Sequence, residues 1–210
     1  MKLKNTFLVL ATAVAAILTA PSLFSAEGAK PPCCRELPTR APFTDRSIYQ
    51  LESKWTSDLG REVPLGILRG RVQVVAMIFT TCESTCPVIV DDMKHLQQAL
   101  PEKLRDRVDF LLISFDSERD TPEVLHAFRE KMRLPTEHWT LLRGGTDDVR
   151  EIAALLGVNF QKDTRGQFMH SNIITVLNGE GEVVHQQMGI RAEALPTIQA
   201  IQRAALAQAK

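Results

Sequence analysis

The residues best equipped for chemistry are the two cysteines of Thr80-Thr81-Cys82-Glu83-Ser84-Thr85-Cys86-Pro87. An apolar, β-branched run from Val72 to Phe79 precedes them and a segment of helical period follows. Both thiols therefore belong where a buried strand hands over to a helix. The first turn of a helix carries unsatisfied N–H groups and the positive end of the helix dipole, and both stabilise a thiolate. A thiolate is the nucleophile of disulfide exchange and equally a soft ligand for copper(I). The spacing admits either chemistry. Residues four apart on a helix share a face, with Cβ atoms about 5–6 Å apart, which suits two sulfurs converging on one ion. Redox enzymes more often use two intervening residues than three, yet a small backbone adjustment still closes a disulfide.

A metal reading asks for a third ligand, because two thiolates satisfy copper(I) poorly where solvent reaches it. The chain has five histidines, His95, His126, His138, His170 and His185. His95 falls on the polar side of a predicted helix, His126 in mid-helix, His138 ahead of a strand and His185 within a hairpin; these are settings of surface or packing residues. His170 stands where a polar loop meets a strand, in Gly166-Gln167-Phe168-Met169-His170-Ser171. In an alternating β/α fold that junction lies near the first strand-to-helix turn. Met169 offers a thioether beside it, although a methionine is expected to fill a gap in packing. Asp116 ends the second core strand close to the same turn, where it orients a ligand or the backbone, or caps the loop.

The elements that must position these groups follow from periodicity. Tyr49, Leu51 and Trp55 alternate as in a half-buried strand, and Ser57-Asp58-Leu59-Gly60 predicts a turn into a second short strand through Val63. Val72–Thr80 and Val108–Phe115 read as fully covered strands. Ile89, Met93, Leu96 and Leu100 recur at helical spacing up to Pro101. Thr121-Pro122 caps a second helix with Leu125, Phe128 and Met132 on one face. Trp139–Leu142 is a short strand, and Thr146-Asp147-Asp148 caps a third helix that Gly157 stops. Gln161–Gln167 reads as a polar loop, Ser171–Leu177 and Glu182–Met188 as a hairpin around Asn178-Gly179-Glu180-Gly181, and residues 192–208 as an amphipathic helix. The order is hairpin, β, α, β, α, β, α, β, β, α. Alternation predicts a mostly parallel central sheet with an antiparallel edge, an α/β mixed sheet flanked by helices. A CxxxC at the first strand-to-helix turn belongs to the thioredoxin-like architecture.

The 210 residues suffice for one well-buried domain and a tail. Lysine and arginine number 25, as do aspartate and glutamate, so no strong field favours nucleic acid, and no nucleic-acid partner is expected. Lys2 and Lys4 lead an uncharged apolar run, Phe7–Ala20, followed by Pro21 and small residues. Residues 1–26 read as an export signal, either cleaved or retained as a membrane anchor. Residues 27–45 carry Pro31, Pro32, Pro38 and Pro42 and read as a linker. Cys33 and Cys34 within it are expected to pair with each other, with another chain or not at all, rather than to form a second soft-metal station. Residues 46–210 form the domain. Export implies an oxidising compartment, in which a cysteine pair closes unless it is reduced or metallated.

Three stretches together carry a resemblance: Phe79 to Pro87 with both cysteines, Phe115-Asp116-Ser117-Glu118-Arg119-Asp120-Thr121, and His170 just before Ile173-Ile174-Thr175-Val176. Over about residues 43–205 the chain resembles the Sco/SenC family of exported copper-binding proteins that help assemble the copper site of respiratory oxidases. The resemblance implies a thioredoxin-like fold, one copper ion bound by Cys82, Cys86 and His170, and a cysteine pair that cycles between dithiol and disulfide. It also implies periplasmic delivery of copper to the copper-receiving subunit of a cytochrome c oxidase, with a thiol reductase and an upstream copper donor as further partners. A metallochaperone is thus expected rather than an enzyme, with thiol–disulfide reduction of the oxidase subunit's cysteines as the alternative. The chain departs from the family's pattern at Ser117, where proline is frequent, at Met169, where aspartate is, and in the short loop before the histidine.

Overall fold

Trp55–Ser57 (β1) and Glu62–Val63 (β2) form the antiparallel hairpin expected from the intervening turn. They belong to a computed structural model that describes residues 42–164 and 166–208. Val72–Ile78 (β3) follows, then the helices Thr85–Ala99 (α1) and Glu102–Arg105 (α2), and Val108–Ser114 (β4). Pro122–Met132 (α3), Trp139–Gly144 (β5) and Thr146–Leu155 (α4) complete the alternating part. Phe160–Lys162 (β6), Phe168–His170 (β7), Ile173–Leu177 (β8), Val183–Met188 (β9) and Ala194–Ala207 (α5) close the domain. The export signal and the linker cysteines Cys33 and Cys34 lie outside the described residues. Among the described residues, no helix is long and apolar enough to cross a membrane.

The seven-stranded sheet has the order β2-β1-β5-β4-β3-β8-β9. All seven positions of β3 are buried, as a strand covered on both faces requires. Only β3 with β4 and β4 with β5 run parallel; β1 with β2, β1 with β5, β3 with β8 and β8 with β9 are antiparallel. The sheet is mixed as expected, but it is not mostly parallel. The β1–β2 and β8–β9 hairpins reverse the chain at each flank, β1 and β8 also lie antiparallel to β5 and β3 across long connections, and helical crossovers give the two parallel pairs in the middle. α1 packs on β3 and α5, while α3 and α4 pack on β5. This is the thioredoxin-like arrangement, with α1 leaving the C-terminal end of a central strand.

Local chemistry overrides pattern in three places. The alternation at Tyr49, Leu51 and Trp55 does not make a strand from Ser47. Instead Ile48–Gln50 is a 3₁₀ turn, because the Ser47 hydroxyl accepts from the Tyr49 N–H and caps it. α4 is capped at Gly145, whose N–H donates to the Asp148 carboxylate (3.3 Å), rather than by Thr146. Gln161–Gln167 is not merely a loop. Its ends pair with their flanks as the antiparallel β6–β7 hairpin, in register Phe160 with His170 and Lys162 with Phe168.

Two contacts fasten the β1–β2 hairpin to the body. A Cβ at Gly144 would stand 2.7 Å from the Trp55 ring, so only glycine lets the indole lie on β5. Asp58, in the hairpin turn, accepts from Arg129 of α3 at 2.5 and 2.9 Å, with the two side chains 1% and 2% exposed. The same guanidinium donates to the carbonyls of Pro135 (2.9 Å) and Trp139 (3.0 Å), so the buried charge pair is fully engaged.

Candidate metal centre

The chain leaves β3 at Ile78, turns through Thr80–Ser84 and starts α1 at Thr85. Ser84 occupies the N-cap position, but its side chain makes no capping hydrogen bond. The Cys82 sulfur takes that place, accepting the Cys86 N–H at 3.4 Å, with the Thr85 hydroxyl at 3.7 Å and the Ser84 hydroxyl at 3.8 Å. An orphan amide of the first helical turn is thereby satisfied by a thiolate. Burial alone raises the Cys82 thiol. The backbone groups of Cys86 and Ser84 and the side chains of Cys86 and Thr85 outweigh it and bring the thiol down to about 6. Cys86 goes the other way. Its side chain is fully buried, and this desolvation, with the nearby Cys82 charge adding to it against the Phe79 backbone, pushes the thiol well above its ordinary value. The pair is thus asymmetric, with Cys82 the ionised member. The two cysteines are not joined as a disulfide.

His170 ends β7. Its Nδ1 lies 3.1 Å from the Ser171 carbonyl, which can only accept; Nδ1 therefore carries the proton and Nε2 keeps its lone pair. Nε2 is 3.7 Å from Cys86 Sγ and 3.4 Å from the Thr85 hydroxyl. The ring packs on Phe79 and Phe115, at centroid distances of 5.9 and 5.0 Å. Among the described residues, Cys82, Cys86 and His170 are the one group of three histidine, cysteine or acidic side chains whose ligand atoms all lie within 4.8 Å of one another. Donors bound to one ion at about 2.0–2.3 Å stand roughly 3.5–4 Å apart in a trigonal arrangement. The Cys86–His170 separation of 3.7 Å already meets this, and no pair of the three donors is more than 4.8 Å apart. Two sulfurs and an imidazole nitrogen make a soft to borderline set that selects copper(I) or zinc over hard oxygen-seeking ions. Cys82 and His170 line a cavity of about 390 Å³ together with Ser84, Thr85 and Met169, with Cys86 fully buried.

Of the other histidines, His126 pairs with Asp58, His138 with Asp109 at 3.0 Å and His185 with the Thr197 hydroxyl at 3.0 Å, while His95 is exposed on α1. Met169 is 70% exposed on the cavity rim, so the expected packing role is corrected: on a three-residue strand the side chains flanking it, Phe168 and His170, turn inward and Met169 turns to solvent. Asp116 is buried and pairs with Arg119 rather than with Cys82, Cys86 or His170; it orients the loop.

Sequence reasoning passed over Asp120. This carboxylate is completely buried and accepts from the Thr80 N–H at 3.1 Å and from the hydroxyls of Thr80 and Ser114, each at 2.5 Å. It ties the cysteine loop to the end of β4. Burial raises its pKa against the pull of those three donors. Within a run of charges such a residue looks solvated; only its place after an all-apolar strand hints otherwise.

The profile of the SCO1/SenC family matches residues 46–205. The SCO1 protein homolog of Bacillus subtilis is 29% identical over 136 residues, covering 62% of this chain and 69% of that protein. The structure of BsSco, a member of the Sco family of cytochrome c oxidase assembly proteins in which a disulfide switch is identified, superposes with a TM-score of 0.62 at 26% identity, covering 73% of this chain and 91% of that one. The copper-bound structure of Bradyrhizobium japonicum ScoI shares the fold at a TM-score of 0.61 and 20% identity, over 72% of this chain and 96% of that one. Matched across nearly the whole folded domain, from the β1–β2 hairpin into α5, the chain belongs to the SCO1/SenC family.

Proposed function

We propose that this protein is an exported copper chaperone that binds one copper ion through Cys82, Cys86 and His170 and delivers it to the copper site of a cytochrome c oxidase during assembly. The observation that carries the reading is the convergence of two sulfurs and one lone-pair-bearing nitrogen within 4.8 Å, the histidine coming from 84 residues beyond Cys86. The copper bound to a family fold, and the oxidase-assembly role of BsSco, support the choice of cargo and recipient. The N-terminal segment, residues 1–26, serves as export signal or tether, and residues 27–45 as the linker to the domain, which places the site in the periplasm.

Copper is cargo, so the chemistry is ligand exchange without turnover. Cys82, ionised at neutral pH, receives the ion first; the arriving positive charge then favours loss of the Cys86 proton, and the His170 Nε2 completes the set. Oxidation of the Cys82 thiolate and Cys86 thiol removes two electrons and one proton, forms the Cys82–Cys86 S–S bond and withdraws both sulfur ligands. A dithiol reductase returns the two electrons and the proton, its own two thiols closing to a disulfide. The second reading, thiol–disulfide reduction of cysteines in the oxidase subunit, rests on the buried, unpaired thiols four residues apart. It needs no histidine.

Copper content and Cu–S absorption of the reduced protein test the proposal. One copper per chain is expected, falling severalfold in Cys82→Ala and His170→Ala. Unchanged stoichiometry and absorption in both variants would refute it, whereas full reductase activity with unaltered copper binding in His170→Ala favours the second reading.

A further inference from the structure

β6 and β7 form a two-stranded sheet of their own and hydrogen-bond to no strand of the seven-stranded sheet. His170 therefore rides on an arm, whereas the cysteines sit on a turn of the rigid sheet. At its root the arm is joined by the Ser171 N–H to the Asn159 carbonyl at 2.8 Å. Along its length Phe160 and Phe168 lie on Phe115, at centroid distances of 5.3 and 5.0 Å. Ring contacts of this kind keep the arm against the body but fix its sliding weakly, because apolar attraction is non-directional. The directional contact is at the tip. Arg119 Nε donates to the Asp116 carboxylate and Nη2 to the Gly166 carbonyl, with the guanidinium 5.9 Å from the Phe168 ring.

Asp116 is 1% exposed and lies two residues past the end of β4, so the guanidinium bridges the end of the rigid sheet and the arm with two charge-assisted or oriented hydrogen bonds. A second tether from the same loop, Glu118 to Lys162, joins side chains that are 76% and 38% exposed, and such pairs contribute little. Gly166 has φ +77°, and a Cβ there would lie 3.4 Å from Arg119 Nη1. Glycine thus supplies both the turn and the space for the guanidinium. The tip is stiffened by Asp163, whose N–H donates to the Gln167 carbonyl (2.7 Å) and whose side chain accepts from the Gln167 N–H (2.8 Å). A constraint at Gly166 is therefore carried along the three residues of β7 to His170.

We infer that Arg119 is the positioning residue for His170: by pinning the tip of the β6–β7 arm to Asp116 it holds the imidazole against the Cys86 sulfur and sets how readily the third ligand is released when copper is handed on. This rests on the proposed copper site. Arg119→Gln and Arg119→Lys test it in the full chain. Lysine keeps a charge beside Asp116 but lacks the fork that reaches both acceptors. The readouts are imidazole nitrogen coupling in the electron paramagnetic resonance of the copper(II) form and the rate of copper(I) loss to bathocuproine disulfonate. Alkylation of Cys82 serves as a control. Arg119→Gln is expected to weaken the nitrogen coupling and speed copper loss at least tenfold, towards the His170→Ala value, with Cys82 alkylation unchanged. Arg119→Lys, which retains the buried charge partner should Arg119→Gln fail to fold, is expected to speed loss at least threefold. Wild-type coupling and loss rates in the folded variants overturn the inference. If His170→Ala itself behaves as wild type, it is the copper-site reading that fails.

Discussion

In the reduced, metal-free protein, alkylation by iodoacetamide should report the asymmetry of the cysteine pair through its pH dependence. With the Cys82 thiol brought down to about 6 by the Cys86 and Ser84 backbone and the Thr85 hydroxyl against its own burial, the thiolate fraction at pH 5 is about 9%. An ordinary thiol of pKa about 8.5 is about 0.03% ionised at that pH. The roughly 300-fold advantage is reduced by the lower intrinsic nucleophilicity of a weakly basic sulfur. With a Brønsted slope of about 0.45 over about 2.5 pH units, that penalty is roughly 13-fold. Cys82 should therefore react about 20-fold faster than a free thiol at pH 5 and only about two- to threefold faster at pH 7. Limited access through the cavity scales all rates together and leaves the inflection near pH 6 in place. Peptide mass mapping should find Cys82 modified and Cys86 untouched, since the latter is fully buried and held protonated. An inflection near 8.5, or first modification at Cys86, would refute the argument that the sulfur caps the helix.

Two further predictions concern the frame. Arg129→Met leaves the Asp58 carboxylate buried without its cation and should cost about 3–5 kcal/mol, lowering Tm by about 6–20 °C; pairing it with Asp58→Leu should recover most of the loss, and a single-variant change below 1 kcal/mol contradicts this. Asp120→Asn should cost about 1–3 kcal/mol near pH 4 by urea unfolding, because the Thr80 N–H loses part of its acceptor. Burial raises Asp120, so the folded state holds that proton more tightly than the unfolded chain. The stability it supplies is complete below the ordinary carboxylate value and is lost as pH rises through the raised one. The gap between wild type and variant should therefore narrow towards pH 7; a gap that widens is the contrary result.

Most of the frame was legible because its signals are cooperative. The all-apolar runs of β3 and β4 leave no other reading than covered strands, and the spacing of Ile89, Met93 and Leu96 specifies the face of α1 that is buried. The convergence of Cys82, Cys86 and His170 was legible through residue type and the strand-to-helix turn. What escaped was short or held by single polar contacts. Three-residue strands such as β6 and β7 contain too few positions for a period to show, and their pairing rests on backbone hydrogen bonds that polar side chains do not reveal. The 3₁₀ turn at Ile48–Gln50 is decided by one serine cap. Arg119 and Asp120 stand in a charged run that looks solvated, yet one bridges to the histidine arm and the other, wholly buried, clamps the cysteine loop. Met169 was misjudged because β7 is too short for its apolar character to decide which way it faces.

X-ray absorption at the copper edge of the reduced, copper(I)-loaded chain reads out whether Cys82, Cys86 and His170 bind one copper ion together. A three-coordinate ion is expected, with two sulfur scatterers at about 2.2–2.3 Å and one imidazole nitrogen at about 2.0 Å, the nitrogen shell vanishing in His170→Ala while both sulfurs stay. A spectrum with two sulfurs and no imidazole in the wild-type protein, or an unchanged nitrogen shell in His170→Ala, would contradict it.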